Sequence, residues 1–177
     1  YSRIDEEGIQ WPCPDADHPG TPILHTQAIA RGRGLFVDME YEDPCEMADD
    51  EYPYMLTTGR ILYHYHTRTM TGRTEAMNEI AGEAYVEMHP ILASRFELKD
   101  GEMVQICSRR GCIEVAVRIT DRIEEEVLFI PFHFAKGANV LTNTALDPIA
   151  KIPELKVAAV SIHKIGEQDE ERVRKYS

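Results

Sequence analysis

A mainly β fold, a compact barrel of about six short strands with two small helical pieces, is what this sequence predicts. Two observations carry the prediction. Short runs rich in β-branched and aromatic residues recur from Tyr52 onward, bounded by Gly, Pro, Asn and Asp. Between residues 112 and 120, Ile113, Val115, Val117 and Ile119 alternate with Glu114, Ala116 and Arg118, the period of a strand with one face in a core. At 177 residues, 43% hydrophobic and 28% charged, the chain is long enough for one substantial domain with its own core.

In chain order, residues 1–51 are rich in Pro, Gly and acid, with only a short apolar signal at 29–39 bracketed by Gly32 and Gly34. They read as a linker or wrapping arm, ended by an acid cluster at 40–51 that exposes a negative surface. Residues 54–57 and 84–88 read as strands. Residues 74–81 have helical composition but little length, and 90–98 read as a short helix with Pro near its first turn, closed by Lys99-Asp100-Gly101. Residues 103–107 and 112–120 form the clearest hairpin, with Gly111 supplying positive φ in the turn Ser108-Arg109-Arg110-Gly111. Residues 127–134 are a continuous apolar run whose Pro131 demotes the second half to an edge, a bulge or a departing chain. Residues 139–152 are loop, and 156–165 a last strand with Val157, Ala159 and Ser161 on one face. The charged tail, 166–177, reads as a solvated helix or disorder.

Cys13, Cys45, Cys107 and Cys112 contain no C-x-x-C pair, which argues against an iron-sulfur cluster or structural zinc held by this chain. Cys107 and Cys112 flank the hairpin turn, so a disulfide between them is geometrically conceivable. Free buried thiols are the expected state for an intracellular redox enzyme. Cys13, between two prolines, is a rigid-loop residue. No apolar run approaches the roughly 20 residues of a membrane span.

Charge is distributed unevenly. The chain carries net charge −12, yet between Tyr52 and Thr74 there is no Asp or Glu, while Arg60, Arg68, Arg73 and six threonines fall in that window. A positive patch in a negative field suits phosphate or another anionic group, because Arg offers a planar fork of donors and Thr a small hydroxyl. In an extended backbone Leu62, His64 and His66 would share one face, which opens a second reading, an independent metal-binding β-barrel with His64 and His66 as ligands. Three neighbouring arginines and the lack of a nearby acidic ligand weigh against it. A solvated polar loop is the third reading.

Thr58-Gly59-Arg60, followed by His64-Tyr65-His66-Thr67 and Met70-Thr71-Gly72, is similar to the segment that opens the C-terminal cofactor-binding domain of molybdopterin-dependent oxidoreductases. Asn139 with Leu141 and Thr142, then Asp147-Pro148-Ile149, Lys151, Pro153 and Lys156-Val157-Ala158-Ala159-Val160, resembles that domain's closing segment. Upstream, Gly8-Ile9-Gln10-Trp11-Pro12-Cys13-Pro14 and Pro19-Gly20-Thr21-Pro22-Ile23-Leu24-His25 resemble the approach to it in formate dehydrogenase catalytic subunits. The resemblance spans roughly residues 8 to 163.

The resemblance implies a six-stranded double-psi β-barrel at residues 52–165, preceded by an arm, 1–51, from an earlier domain of a longer polypeptide and followed by the charged tail, 166–177. It implies a cofactor of two pterin dithiolenes, each joined through pyrophosphate to guanosine (molybdopterin guanine dinucleotide), that together hold molybdenum or tungsten. Thr58, Gly59, Arg60, His64, His66, Thr67 and Arg68 would line it, with Gly59 permitting close backbone approach. Asn139 would meet a heterocycle edge, Lys156 would add charge near pterin or phosphate, and Phe132 would wall the site. Each of the last three has a structural alternative: turn capping, an ordinary edge-strand lysine, and core packing.

No catalytic residue and no metal ligand is assigned to this chain. The full enzyme would oxidise formate to carbon dioxide, with nitrate reduction as the alternative, and its metal-ligating Cys or selenocysteine and iron-sulfur cluster would lie in the N-terminal portion. Expected partners are the N-terminal domains of the same polypeptide and electron-transfer subunits, with no nucleic acid and no membrane insertion. The expected location is the cytoplasm. The lack of any Gly-Ser, Asp-Thr-Gly or Asp-Ser-Gly excludes a self-processing decarboxylase and an aspartic protease on related barrels.

Overall fold

The structure, a computed structural model, describes Arg3, residues 8–27, Ile29 and residues 31–165. The reading of the 166–177 tail falls outside the described residues. The chain divides into two compact units, residues 1–41 and 42–177.

The first unit has no helix or strand among its described residues. Its order comes from a loop knot. Thr21 N–H donates to Gln10 O at 2.9 Å and Thr21 Oγ1 to Pro12 O at 2.6 Å, while His18 Nδ1 accepts from Gly20 N–H at 3.0 Å. Gly20 has φ +91° and sits so close to Gln10 that a Cβ would come 3.1 Å from its backbone, so glycine is required there. Leu35, Phe36 and Val37, the centre of the apolar signal at 29–39, are exposed and form no strand.

The second unit is a closed six-stranded barrel with short helices, the architecture expected. The strands are β1 (Tyr54–Gly59), β2 (Tyr85–Met88), β3 (Met103–Ser108), β4 (Gly111–Ile119), β5 (Val127–Pro131) and β6 (Ala158–Lys164), closed in the order β1-β5-β2-β4-β3-β6. Two pairs are parallel, β1 with β5 and β2 with β4; the others are antiparallel. Alternation fills the interior. Leu56, Val86, Met88, Val104, Ile106, Val115, Val117, Leu128, Ile130, Val160 and Ile162 form one buried cluster. Closure also removes every free sheet edge of the six strands.

Helix α1 (Glu75–Ala81) precedes β2, and α2 (Pro90–Arg95) follows it. In α2, Pro90 occupies the first turn and His89 caps it, its Nδ1 accepting from Ile91 N–H at 3.2 Å. β5 ends at Pro131, and the chain then leaves the sheet, one of the outcomes its proline predicts.

Two expectations about the β3–β4 hairpin need correction. Gly111 does not have positive φ; the register Ser108↔Gly111 leaves Arg109-Arg110 as the two-residue turn without it. The same register sets Cys107 opposite Cys112 with Cα atoms 4.1 Å apart, and the two form a disulfide instead of remaining free thiols. On β6, which starts one residue after Val157, Ala159 and Ser161 share one face, and alternation puts it opposite the barrel-facing Ala158, Val160 and Ile162. Ala159 and Ser161 are buried as well, and the segment before β1 reaches this strand, Glu46 Oε1 accepting from Ala159 N–H at 2.7 Å.

Glu46 is also the exception to the exposed negative surface expected of residues 40–51. It takes a two-pronged bond from Arg110, with Arg109 3.6 Å away, and Asp49 pairs with Arg109. Burial alone pushes the Glu46 carboxyl up. The Arg110 hydrogen bonds, the Ala159 N–H and the charges of Arg110 and Arg109 together hold it below the ordinary glutamate value.

Candidate functional site at the β1–β5 rim

Parallel pairing puts the C-terminal ends of β1 and β5 side by side, Gly59 opposite Pro131, so two departing chains share one rim. β6 runs antiparallel to β1 and brings the residues just before it to the same place. Thr58 joins them. Its Oγ1 donates to Leu155 O at 2.7 Å, and its carbonyl accepts from Lys156 Nζ at 2.6 Å. Phe132 N–H donates to Gly59 O at 3.1 Å. Gly59 is required first by packing: a Cβ there would lie 2.6 Å from Phe129 Cε2.

Beyond Arg60 the chain is not extended, so His64 and His66 do not share a strand face. Residues 61–70 are turns, and His66 and Arg68 adopt positive φ of 45° and 64°. His64 turns inward and is buried. Its Nε2 faces Ala81 O at 2.6 Å and so carries the proton, while Nδ1 meets the Thr71 hydroxyl at 3.0 Å. Arg68 donates to Gly82 O at 3.1 Å and to Asn78 Oδ1 at 2.6 Å, and lies 4.7 Å over the Phe134 ring. Together they satisfy carbonyls that the C-terminus of α1 would otherwise leave open. Asn78 Nδ2 completes the join by donating to Gly72 O at 2.7 Å.

The predicted residues therefore separate into two kinds. His64 and Arg68 direct their donors into the fold, except for Arg68 Nε, which is buried without a hydrogen-bond partner. Arg60, His66, Thr67 and Lys156 are exposed at or beside the rim. No hydrogen bond or ion pair to another described residue engages the Arg60 side chain, and among the described residues Lys156 Nζ bonds only to Thr58 O. Thr67 Oγ1 lies 2.9 Å from Thr69 Oγ1.

Phe132 is half-buried beside His133, and Phe134 is buried against His64. Asn139 stands on a different element. It lies in the 3-10 turn Ala138–Val140, where Val140 meets Gly111, and no hydrogen bond among the described residues ties it to Thr58 or Lys156. Its carbonyl, rather than its side chain, closes the turn by accepting from Thr142 Oγ1 at 3.3 Å.

The metal-binding alternative does not fit this geometry. Both His64 ring nitrogens are engaged inside the fold, and the His66 ring lies on the turn against Tyr65. Among the described residues, no group of three or more His, Cys, Asp or Glu could hold a metal ion.

His133 falls within the run 127–134 that the sequence reads as apolar, yet it is a polar residue of the site. It is 2% exposed, and its Nε2 accepts from Ile61 N–H at 2.9 Å. Since a backbone N–H can only donate, Nδ1 carries the proton and donates to His66 O. A polar ring between two phenylalanines, directly after the strand-ending Pro131, was the available signal.

No helix of the described residues is long and apolar enough to cross a membrane. The model of the molybdopterin dinucleotide binding domain family matches residues 54–159, more than half of the chain. The alpha subunit of the F420-dependent formate dehydrogenase of Methanocaldococcus jannaschii is 47% identical over 168 residues, covering 93% of this chain and 25% of that protein. The assimilatory nitrate reductase catalytic subunit of Bacillus subtilis is 38% identical over 169 residues, covering 92% and 24%. The chain thus spans about a quarter of the length of these curated relatives. Among solved structures, acetylene hydratase from Pelobacter acetylenicus has a similar fold at a TM-score of 0.60, with 16% identity over 71% of this chain and 21% of that one. A closed barrel with this rim, matched across all but the last residues of its six strands, belongs to the molybdopterin dinucleotide-binding domain family.

Proposed function

We propose that this chain is the cofactor-binding domain of a formate dehydrogenase catalytic subunit, its β1–β5 rim holding molybdopterin guanine dinucleotide against the rest of the polypeptide. The observation that carries the reading is the donor set: Arg60, inside the carboxylate-free window and without a partner among the described residues, and Lys156, which the fold brings beside it through its bond to Thr58 O. These groups fit a pyrophosphate, since exposed Arg and Lys donors supply charge-assisted bonds to its oxygens. The buried, unpaired Nε of Arg68 is a further open donor.

Arg60, His66, Thr67 and Lys156 would bind through side chains, Thr58 and Gly59 would present backbone, and Phe132 would supply a wall. Asn139 would add an amide from its own loop, while His64 and Arg68 brace residues 60–72 on α1. When bound, the cofactor's molybdenum or tungsten supplies the redox chemistry; the protein contributes binding, orientation and electrostatics. Residues 52–165 would be the domain proper, residues 1–51 an arm from the preceding domain and 166–177 a tail. An iron-sulfur cluster and the metal's protein ligand would belong to the N-terminal domains. Electron-transfer subunits would complete a cytoplasmic enzyme.

Formate is favoured over nitrate by the higher identity to the alpha subunits, 47% against 38% for the nitrate reductase. The test is to express the full polypeptide with its cofactor and compare dye reduction by formate with nitrate reduction by reduced dye. Formate turnover is expected. Nitrate turnover without formate turnover would transfer the reading to the nitrate reductases, and the 177-residue chain alone should do neither.

A further inference from the structure

We infer that His133 is a positioning residue for ligand binding, one that fixes the backbone beyond Arg60 and so aims the guanidinium out of the rim; this rests on reading that rim as the cofactor face. The two peptide units flanking Arg60 are held by consecutive residues leaving β5. Phe132 N–H donates to Gly59 O at 3.1 Å, and Ile61 N–H donates to His133 Nε2 at 2.9 Å. Arg60 cannot change its backbone angles without breaking one of them. The ordering of that backbone is thereby completed on folding and does not weigh against binding.

The other edge of the ring extends the hold. His133 Nδ1 donates to the carbonyl of His66, whose φ of 45° is a conformation that non-glycine residues keep only when their surroundings impose it. A single imidazole thus pins both ends of residues 61–66. The ring itself is held between neighbours, with the Phe132 ring centre at 4.6 Å and that of His64 at 6.1 Å. A leucine would fill the volume, but only a side chain with an acceptor and a donor on different edges makes both bonds.

The experiment uses the 177-residue chain with guanosine diphosphate as probe. His133→Gln can place an amide oxygen where Nε2 stands. His133→Asn reaches only the Nδ1 position and abandons Ile61. Relative to wild type, His133→Asn should speed exchange of the Ile61 amide and weaken guanosine diphosphate binding, each by about tenfold, the loss of one buried hydrogen bond, while His133→Gln stays within about threefold. On an Arg60→Leu background, His133→Asn should cause almost no further loss of binding, since it acts through Arg60.

Equal binding by both His133 variants and the wild type, or additive losses with Arg60→Leu, would overturn the inference. Should His133→Asn fail to fold, the wild-type chain still decides: an Ile61 amide exchanging as fast as an exposed one means no clamp exists. If the wild type binds no guanosine diphosphate, the reading of the rim fails. A working diphosphate site indifferent to His133 removes only this inference.

Discussion

Gly59 lies against the ring of Phe129, so close that a Cβ on residue 59 would stand 2.6 Å from Phe129 Cε2 and 3.2 Å from Cζ. Phe129 occupies the strand paired in parallel with β1, so neither side can retreat without disturbing the register. Gly59→Ala should therefore destabilise the ligand-free chain by about 1–3 kcal/mol, the usual cost of overpacking. Adding Phe129→Leu should recover most of it. Thermal melts of the two variants beside wild type check this, and an unchanged midpoint for Gly59→Ala would assign the glycine to ligand approach instead.

Glu46 makes stability depend on pH in a defined direction. Its folded carboxyl lies below the ordinary value of 4.5, so its contribution is fully present above that value and is lost as pH falls through the folded one. Glu46→Gln should lower the melting midpoint at pH 7, consistent with losing charge-assisted bonds worth about 1.5–3 kcal/mol. The gap between variant and wild type should close on acidification below the ordinary glutamate value of 4.5, as pH falls through the lower folded one. Melting both proteins across that range measures it. A gap that widens in acid would reverse the sign derived from the Arg110 and Arg109 contacts.

Arg60 and His64, four residues apart, should respond in opposite ways. Arg60→Leu removes no hydrogen bond or ion pair to a described residue and should leave the ligand-free melting midpoint nearly unchanged, while guanosine diphosphate binding weakens by about 1.5–3 kcal/mol. His64→Leu leaves Ala81 O and Thr71 without their partner and should lower the midpoint before any ligand is added. A stability loss for Arg60→Leu comparable to that of His64→Leu would mean the arginine is structural.

Cys107 and Cys112 close a loop with a sequence separation of 5, so their disulfide restricts the unfolded chain only modestly, by about 2 kcal/mol in the chain-entropy account. Reduction should lower the melting midpoint and leave the fold intact, because six register pairs still join β3 to β4. Thiol labelling under denaturing, non-reducing conditions should find only Cys13 and Cys45 reactive. Four reactive thiols before reduction would contradict the pairing.

The elements most legible in the sequence were those in which one physical demand dominates. The alternation of Ile113, Val115 and Val117 is the burial pattern of β4, and Pro90 marks the first turn of α2 because its missing N–H costs nothing there. In β6 the sequence shows a strand with one shared face but not which face turns to the barrel, because residues on both faces are buried and small ones such as Ala159 and Ser161 suit either side. Residues 60–72 misled. Their polar alternation mimics a strand, while their shape is set by carbonyls of α1 and by His133, partners that sequence spacing does not reveal. The family motif gathers residues that the fold does bring to one rim, but it could not separate Arg60, which is exposed, from Arg68, which braces the turn.

The bonds that join β1's end to the chains leaving β5 and entering β6 span most of the barrel's length. Thr58 meets Leu155 across 97 positions and Lys156 across 98, and Ile61 meets His133 across 72. Contacts this distant carry the greatest loop-closure cost and slow the search for the native pairing. A chain emerging from the ribosome cannot join this rim until Leu155 and Lys156 have been synthesised, so the rim is among the later parts of the barrel to assemble.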